Sequence, residues 1–171
     1  MKDVYLIALG SNVRHPRHGR PYDVVGEAIM RLEGDGLGTV LAARRRSFRP
    51  LGPSRRSYVN TVAMVHSRLP PPAVLARLQA IETAFGRRRR GRRWGARVLD
   101  LDIVLWTGGA WRSPGLTVPH PRFRERDFVL LPARELVPEW RDPLSGLTVA
   151  QLAARLTRPH PAPTARTRSG P

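Results

Sequence analysis

Arg93-Trp94-Gly95-Ala96-Arg97-Val98-Leu99-Asp100-Leu101-Asp102-Ile103-Val104-Leu105 contains a β-prone apolar run interrupted by two carboxylates two residues apart. Side chains alternate across a strand, so Leu99, Leu101 and Ile103 share one face while Asp100 and Asp102 share the other. With about 3.3 Å of rise per residue, the two acidic side chains stand roughly 6–7 Å apart. Carboxylates at that spacing can hold hard divalent cations that also bind a polyphosphate. Just upstream, Arg87, Arg88, Arg89, Arg90, Arg92, Arg93 and Arg97 supply guanidinium groups suited to phosphate oxygens. Taken singly, an Asp-x-Asp is more often a solvated pair, and an arginine run a solvated face. Close together on the chain, they point to phosphoryl transfer.

Working outward, the strand at 98–106 closes a series of alternating elements. A helix at 73–84 precedes it, opened by Pro70-Pro71-Pro72, striped by Val74, Leu75, Leu78, Ile81 and Phe85, and stopped by Gly86. Residues 58–66 alternate as a strand, and 39–43 predict another. Val24, Val25, Ala28, Ile29 and Leu32 give 22–32 a helical stripe. Residues 4–9 read as a buried opening strand ended by the turn signal Gly10-Ser11-Asn12. Strand, helix, strand, strand, helix, strand is the order of a split β-α-β unit. The expected fold is therefore α+β and ferredoxin-like, an antiparallel sheet with helices packed on one face. Downstream, Thr107-Gly108-Gly109 predicts a hairpin into Ala110-Trp111, and 116–119 is extended. A helix at 126–136 is expected to break at Pro132, and a short helix follows at 149–156. We expect one domain over residues 1–156 and a flexible, proline-rich C-terminal tail over 157–171.

Composition narrows the classes. The 171-residue chain has no cysteine, which excludes disulfides and thiolate chemistry and suits the cytoplasm. No apolar run approaches a membrane span, and the opening residues lack the layout of a signal peptide. The net charge of +17 raises the alternative of an arginine-rich nucleic-acid-binding module. Only one of the 30 basic residues is lysine, a skew that tracking a phosphate backbone does not require. An acidic pair beside the arginines would also repel such a backbone. Another ATP-dependent phosphotransferase is the second alternative, although no Gly-x4-Gly-Lys-Ser/Thr loop is present.

Several motifs resemble the 6-hydroxymethyl-7,8-dihydropterin pyrophosphokinase family. They are Ala8-Leu9-Gly10-Ser11-Asn12, Pro50-Leu51-Gly52-Pro53, Tyr58-Val59-Asn60, Gln79-Ala80-Ile81-Glu82, the segment from Arg93 to Asp102, Leu116-Thr117-Val118-Pro119-His120-Pro121-Arg122 and Arg126-Asp127-Phe128. The resemblance implies transfer of diphosphate from ATP to 6-hydroxymethyl-7,8-dihydropterin with two Mg²⁺ ions. It assigns metal binding to Asp100 and Asp102, and catalysis to these two with Arg87 and Arg97. ATP contacts are expected at Gln79, Glu82, Arg87, Arg89, Arg97, Thr117, His120 and Arg126. Pterin contacts are expected at Leu51, Tyr58, Asn60, Trp94 and Phe128, with Tyr58 and Phe128 sandwiching the heterocycle. Arg89, Arg90 and Trp94 fall on a loop that closes over the site. We expect a monomer with no nucleic-acid or membrane partner. The chain departs from the family at Phe48-Arg49-Pro50-Leu51-Gly52, where Thr-x-Pro-x-Gly is frequent.

Overall fold

The computed structural model describes residues 3–34, 37–38, 40–49, 57–86 and 97–158. Strand β1 (Asp3–Ser11) runs between β4 (Tyr58–Ser67) and β5 (Asp100–Trp106), antiparallel to both. The short strands β2 (Val40–Ala42) and β3 (Arg46–Phe48) both pair with the other edge of β4. Counting β3 off the main path, the spatial order β2-β4-β1-β5 is that of the expected split β-α-β fold.

Helices α1 (Pro21–Gly34) and α2 (Pro71–Ala84) cover one face of the sheet. Val24, Ala28, Leu32, Val74, Leu78 and Ile81 pack there against Tyr5, Ile7, Leu9, Leu101 and Ile103. The opposite face is covered as well. Helices α3 (Asp127–Leu136) and α4 (Val149–Thr157) bury Val129, Leu130, Ala133, Val149 and Leu152 against Leu6, Val62, Val104 and Leu105. The expectation of helices on one face is thus corrected to both. The physical reason lies in β1, whose run from Val4 to Leu9 is apolar at every position and so must be covered on both sides.

Two further expectations change, and one strand is new. Helix α3 continues through Pro132, which is itself buried with Val129, Leu130 and Ala133. Apolar burial on that face outweighs the backbone bond that proline cannot donate to the carbonyl of Phe128. Strand β6 (Trp111–Ser113) does not extend a hairpin from β5, to which only a Trp106–Gly109 bridge connects among the described residues. It pairs instead with β7 (Leu116–Val118). Strand β3 has no counterpart in the sequence pattern.

One irregularity in the sheet brings a distant segment to β5. Leu6 pairs with Leu105 but Ile7 pairs with Ile103, so Val104 is a bulge. Its carbonyl accepts the N–H of His120 at 2.9 Å. The bulge therefore docks the segment after β7 onto β5, two residues past Asp102.

Candidate active site

Asp100 and Asp102 share the α3 side of β5, as the alternation requires, while Leu99, Leu101 and Ile103 lie in the core beneath α1 and α2. Across the sheet Asp100 stands opposite Gly10, which stands opposite Asn60, which stands opposite Arg46. Asp102 lies opposite Ala8 in the next row. Small residues on β1 leave this part of the surface open between the acids and β4. A Cβ added at Gly10 would stand 2.6 Å from Asn60 Oδ1, so glycine is what allows the buried Asn60 carboxamide to lie across β1.

Cations ring the acidic pair. Arg97 Nη1 donates to Asp100 Oδ2 at 2.7 Å. Arg126 Nη1 is 3.6 Å, and His120 Nε2 3.9 Å, from Asp102 Oδ2. His120 Nδ1 accepts the N–H of Arg122, so in the neutral ring the proton sits on Nε2, facing Asp102. Burial, and then the neighbouring Asp100, hold the Asp102 carboxyl above the usual carboxylate range against the pull of His120, Arg126 and Arg97. Burial lowers the His120 imidazole despite Asp102, and Arg126 adds to the effect. Burial opposes charge on Arg97, but Asp100 more than restores it, and its proton affinity is raised. Two carboxylates on one face, one of them holding its proton more tightly than usual, beside fixed guanidinium groups are suited to a cation that would replace that proton.

The expected site residues sort into three groups. Tyr58, Asn60, Arg97, Asp100, Asp102, His120, Arg126 and Phe128 are brought together at the β4-β1-β5 end and the start of α3. The Tyr58 hydroxyl is pushed up by burial, with Arg97 and Asp100 acting on it in opposite senses. Gln79, Glu82 and Thr117 belong to α2 and β7, which pack on β5 from the other face. Glu82 is buried there, and its Oε1 accepts the N–H of Leu101 at 2.8 Å, between the two aspartates. Leu51, Arg87, Arg89, Arg90 and Trp94 lie outside the described residues.

Asn12 does more than the turn signal implies. Its N–H donates to the carbonyl of Arg97 at 3.1 Å, and its Oδ1 accepts the N–H of Arg97 at 2.8 Å. This bracket joins the end of β1 to the approach to β5 and sets the root of the Arg97 side chain. Nothing in local spacing signals a contact across 85 residues. Asn12→Ala is expected to cost about 1–2 kcal/mol, because it leaves the partly buried N–H of Arg97 without its side-chain acceptor. Urea denaturation of both proteins measures it, and an unchanged midpoint would count against the bracket.

Comparison with known proteins adds to this geometry. The family model described as 7,8-dihydro-6-hydroxymethylpterin-pyrophosphokinase matches residues 6–138. The chain is similar to 2-amino-4-hydroxy-6-hydroxymethyldihydropteridine pyrophosphokinases of several bacteria. It is 40% identical to the Pseudomonas aeruginosa protein, covering 80% of this chain and 82% of that one. With the Haemophilus influenzae protein the identity is 39%, over 76% and 79% of the two chains. With the Synechocystis protein it is 42%, over 61% of this chain and 53% of the relative, so the match spans about half of that relative's length. In structure the chain is similar to Plasmodium falciparum HPPK-DHPS, with a TM-score of 0.67 over 91% of this chain and 43% of that one. At 11% identity that likeness concerns the fold alone.

Proposed function

The chain belongs to the 7,8-dihydro-6-hydroxymethylpterin-pyrophosphokinase family, and on that premise we propose that it transfers the terminal diphosphoryl group of ATP to 6-hydroxymethyl-7,8-dihydropterin in folate biosynthesis. The hydroxymethyl oxygen attacks the β-phosphorus and loses its proton, the bond to the α–β bridging oxygen breaks, and AMP leaves. The observation that carries this reading is the placement of Asp100 and Asp102 on one face, with Asn60 across Gly10 from Asp100 and the cations Arg97, Arg126 and His120 around them.

Each residue then has a task. Tyr58 and Phe128 offer aromatic faces to a flat heterocycle, and Asn60 offers both a donor and an acceptor to its amide edge. Arg97, His120 and Arg126 face phosphate oxygens and the charge that develops on the leaving AMP. Gln79 and Thr117 take the base and ribose end, so the nucleotide lies across the outer edge of β5, and Glu82 acts on the same substrate from beneath by holding the Leu101 amide between the two aspartates. Arg87 and Arg89 complete the phosphate clamp, and Leu51 and Trp94 the pterin enclosure.

The donor set fits Mg²⁺. Among the described residues no group of three or more His, Cys, Asp and Glu side chains could hold a metal alone. Mg²⁺ characteristically takes one or two carboxylates and completes its shell with water and substrate phosphates. Asp100 and Asp102 would hold two such ions, which when bound neutralise phosphate charge and acidify the attacking hydroxyl. Among the described residues no helix is long and apolar enough to cross a membrane, and we place the activity in the cytoplasm.

The test is AMP formation from ATP and Mg²⁺ with and without the pterin. Pterin-dependent AMP release is expected, and none from folded protein would sink the reading. The approach of Asn60 over Gly10 makes a second prediction. In Gly10→Ala, the new methyl displaces the carboxamide, and KM for the pterin is expected to rise by about ten- to a hundredfold. KM for ATP should stay within a factor of about three, because Asn60 faces the other substrate. Steady-state kinetics in each substrate separates the two.

A further inference from the structure

Three aromatic side chains, not two, meet at the pterin end of the site. Phe48 on β3 is the cross-strand partner of Tyr58, so the two share a face, with Cβ atoms about 4.5–5.5 Å apart as in any directly opposed pair. Its ring centroid lies 6.3 Å from that of Phe128 at an interplanar angle of 65°, an edge-to-face contact. The rest of β3 is tied to the same helix, because Arg46 forms an ion pair with Glu135 of α3. Arg46 also stands opposite Asn60. Strand β3 is thus clipped to α3 at two points, one of them the Phe128 ring. Phe48 and Phe128 both remain half-buried, which leaves aromatic surface open to a ligand.

We propose that Phe48 is a positioning residue for the pterin, acting through Phe128, whose ring it holds edge-on in the orientation needed to stack on the heterocycle. The inference rests on the function proposed above. Phe128 sits at the start of α3, half-buried against the core cluster on that face of the sheet. The Arg126 guanidinium also lies over it, 5.6 Å from the centroid and near the outer reach of a cation–π contact, so the Phe48 edge is the second support of the ring. A ring held in advance loses less entropy on binding, and the gain falls on the pterin and not on the nucleotide.

Phe48→Ala removes the brace, Phe48→Leu keeps bulk without a ring, and Phe48→Tyr keeps the ring. In Phe48→Ala and Phe48→Leu, KM for the pterin should rise about three- to tenfold, the worth of one aromatic pair. KM for ATP and kcat should stay within about twofold, and Phe48→Tyr should restore the wild-type pterin KM. Quenching of the pterin's own fluorescence in the absence of ATP should show the same loss of affinity for the first two variants. Thermal melts establish that each variant is folded. Wild-type pterin KM in folded Phe48→Ala and Phe48→Leu overturns the proposal, as does a loss in kcat or ATP KM equal to the loss in pterin KM. If the wild-type protein itself releases no pterin-dependent AMP, the functional reading fails first and this proposal with it.

Discussion

Asp102→Asn is expected to abolish pterin-dependent AMP formation, lowering kcat at least about a thousandfold, or about 4 kcal/mol of transition-state stabilisation. The substitution keeps size and a hydrogen-bonding group but removes the charge that Arg126 and His120 face at 3.6 and 3.9 Å. It also removes one of two carboxylates available to a metal. Stability should move the other way. A carboxyl whose folded pKa is raised above its unfolded value of about 3.9 binds its proton more tightly when folded, so wild-type stability falls as pH rises through that window. In the metal-free protein at neutral pH, Asp102→Asn should therefore melt no lower than wild type, and the two should converge in acid. Added Mg²⁺ with a non-hydrolysable ATP analogue should stabilise the wild type by mass action and the variant much less. A variant that retains more than a tenth of wild-type kcat would remove Asp102 from the reaction. Equal stabilisation of both proteins would remove it from the metal site.

Which of these features are legible in the sequence depends on whether their cause is local to the chain. The face of Asp100 and Asp102 follows from period-two alternation, since a strand with Leu99, Leu101 and Ile103 in the core has no freedom to turn its acids elsewhere. The order of elements follows equally from local periodicity. His120 and Arg126 come only through resemblance, because their approach to Asp102 depends on a bulge at Val104 and a turn at Phe123–Glu125. Neither has a local spacing signal. Strand β3 escapes a pattern-based reading because three residues, two of them polar, are too few to show alternation, and β4 recruits them by pairing. The break expected at Pro132 follows propensity, which packing overrides. Two-sided burial is written in the unbroken apolar run of β1, which outweighs the commoner one-faced antiparallel layout.

Asp142→Ala is expected to be the most destabilising single substitution proposed for this chain. Asp142 is fully buried, and four donors converge on its carboxylate. Arg124 Nε and Nη2 approach at 2.7 and 2.6 Å, the N–H of Leu144 at 3.2 Å, and the Ser145 hydroxyl closes the ring. The pair joins the turn at Phe123–Glu125 to the loop before α4, and the turn leads directly into Arg126 and Phe128. Alanine would leave a guanidinium, with 28% of its side chain exposed, short of its partner, at a cost of about 3–5 kcal/mol. At roughly 2–4 °C per kcal/mol for a chain of this size, the melting temperature should fall by about ten degrees or more. The pH dependence gives an independent reading. Burial works against the ionised form, but bonds from Arg124, Ser145 and Leu144 outweigh it and hold the carboxyl below its usual range. Its contribution is therefore complete above an unfolded pKa of about 3.9 and is lost as pH falls through the lower folded value. The stability gap between wild type and Asp142→Asn should be full at neutral pH and narrow below about pH 4. Urea denaturation at both pH values measures it, and a gap that persists unchanged in acid would show that the shape of the side chain, and not its charge, holds the turn.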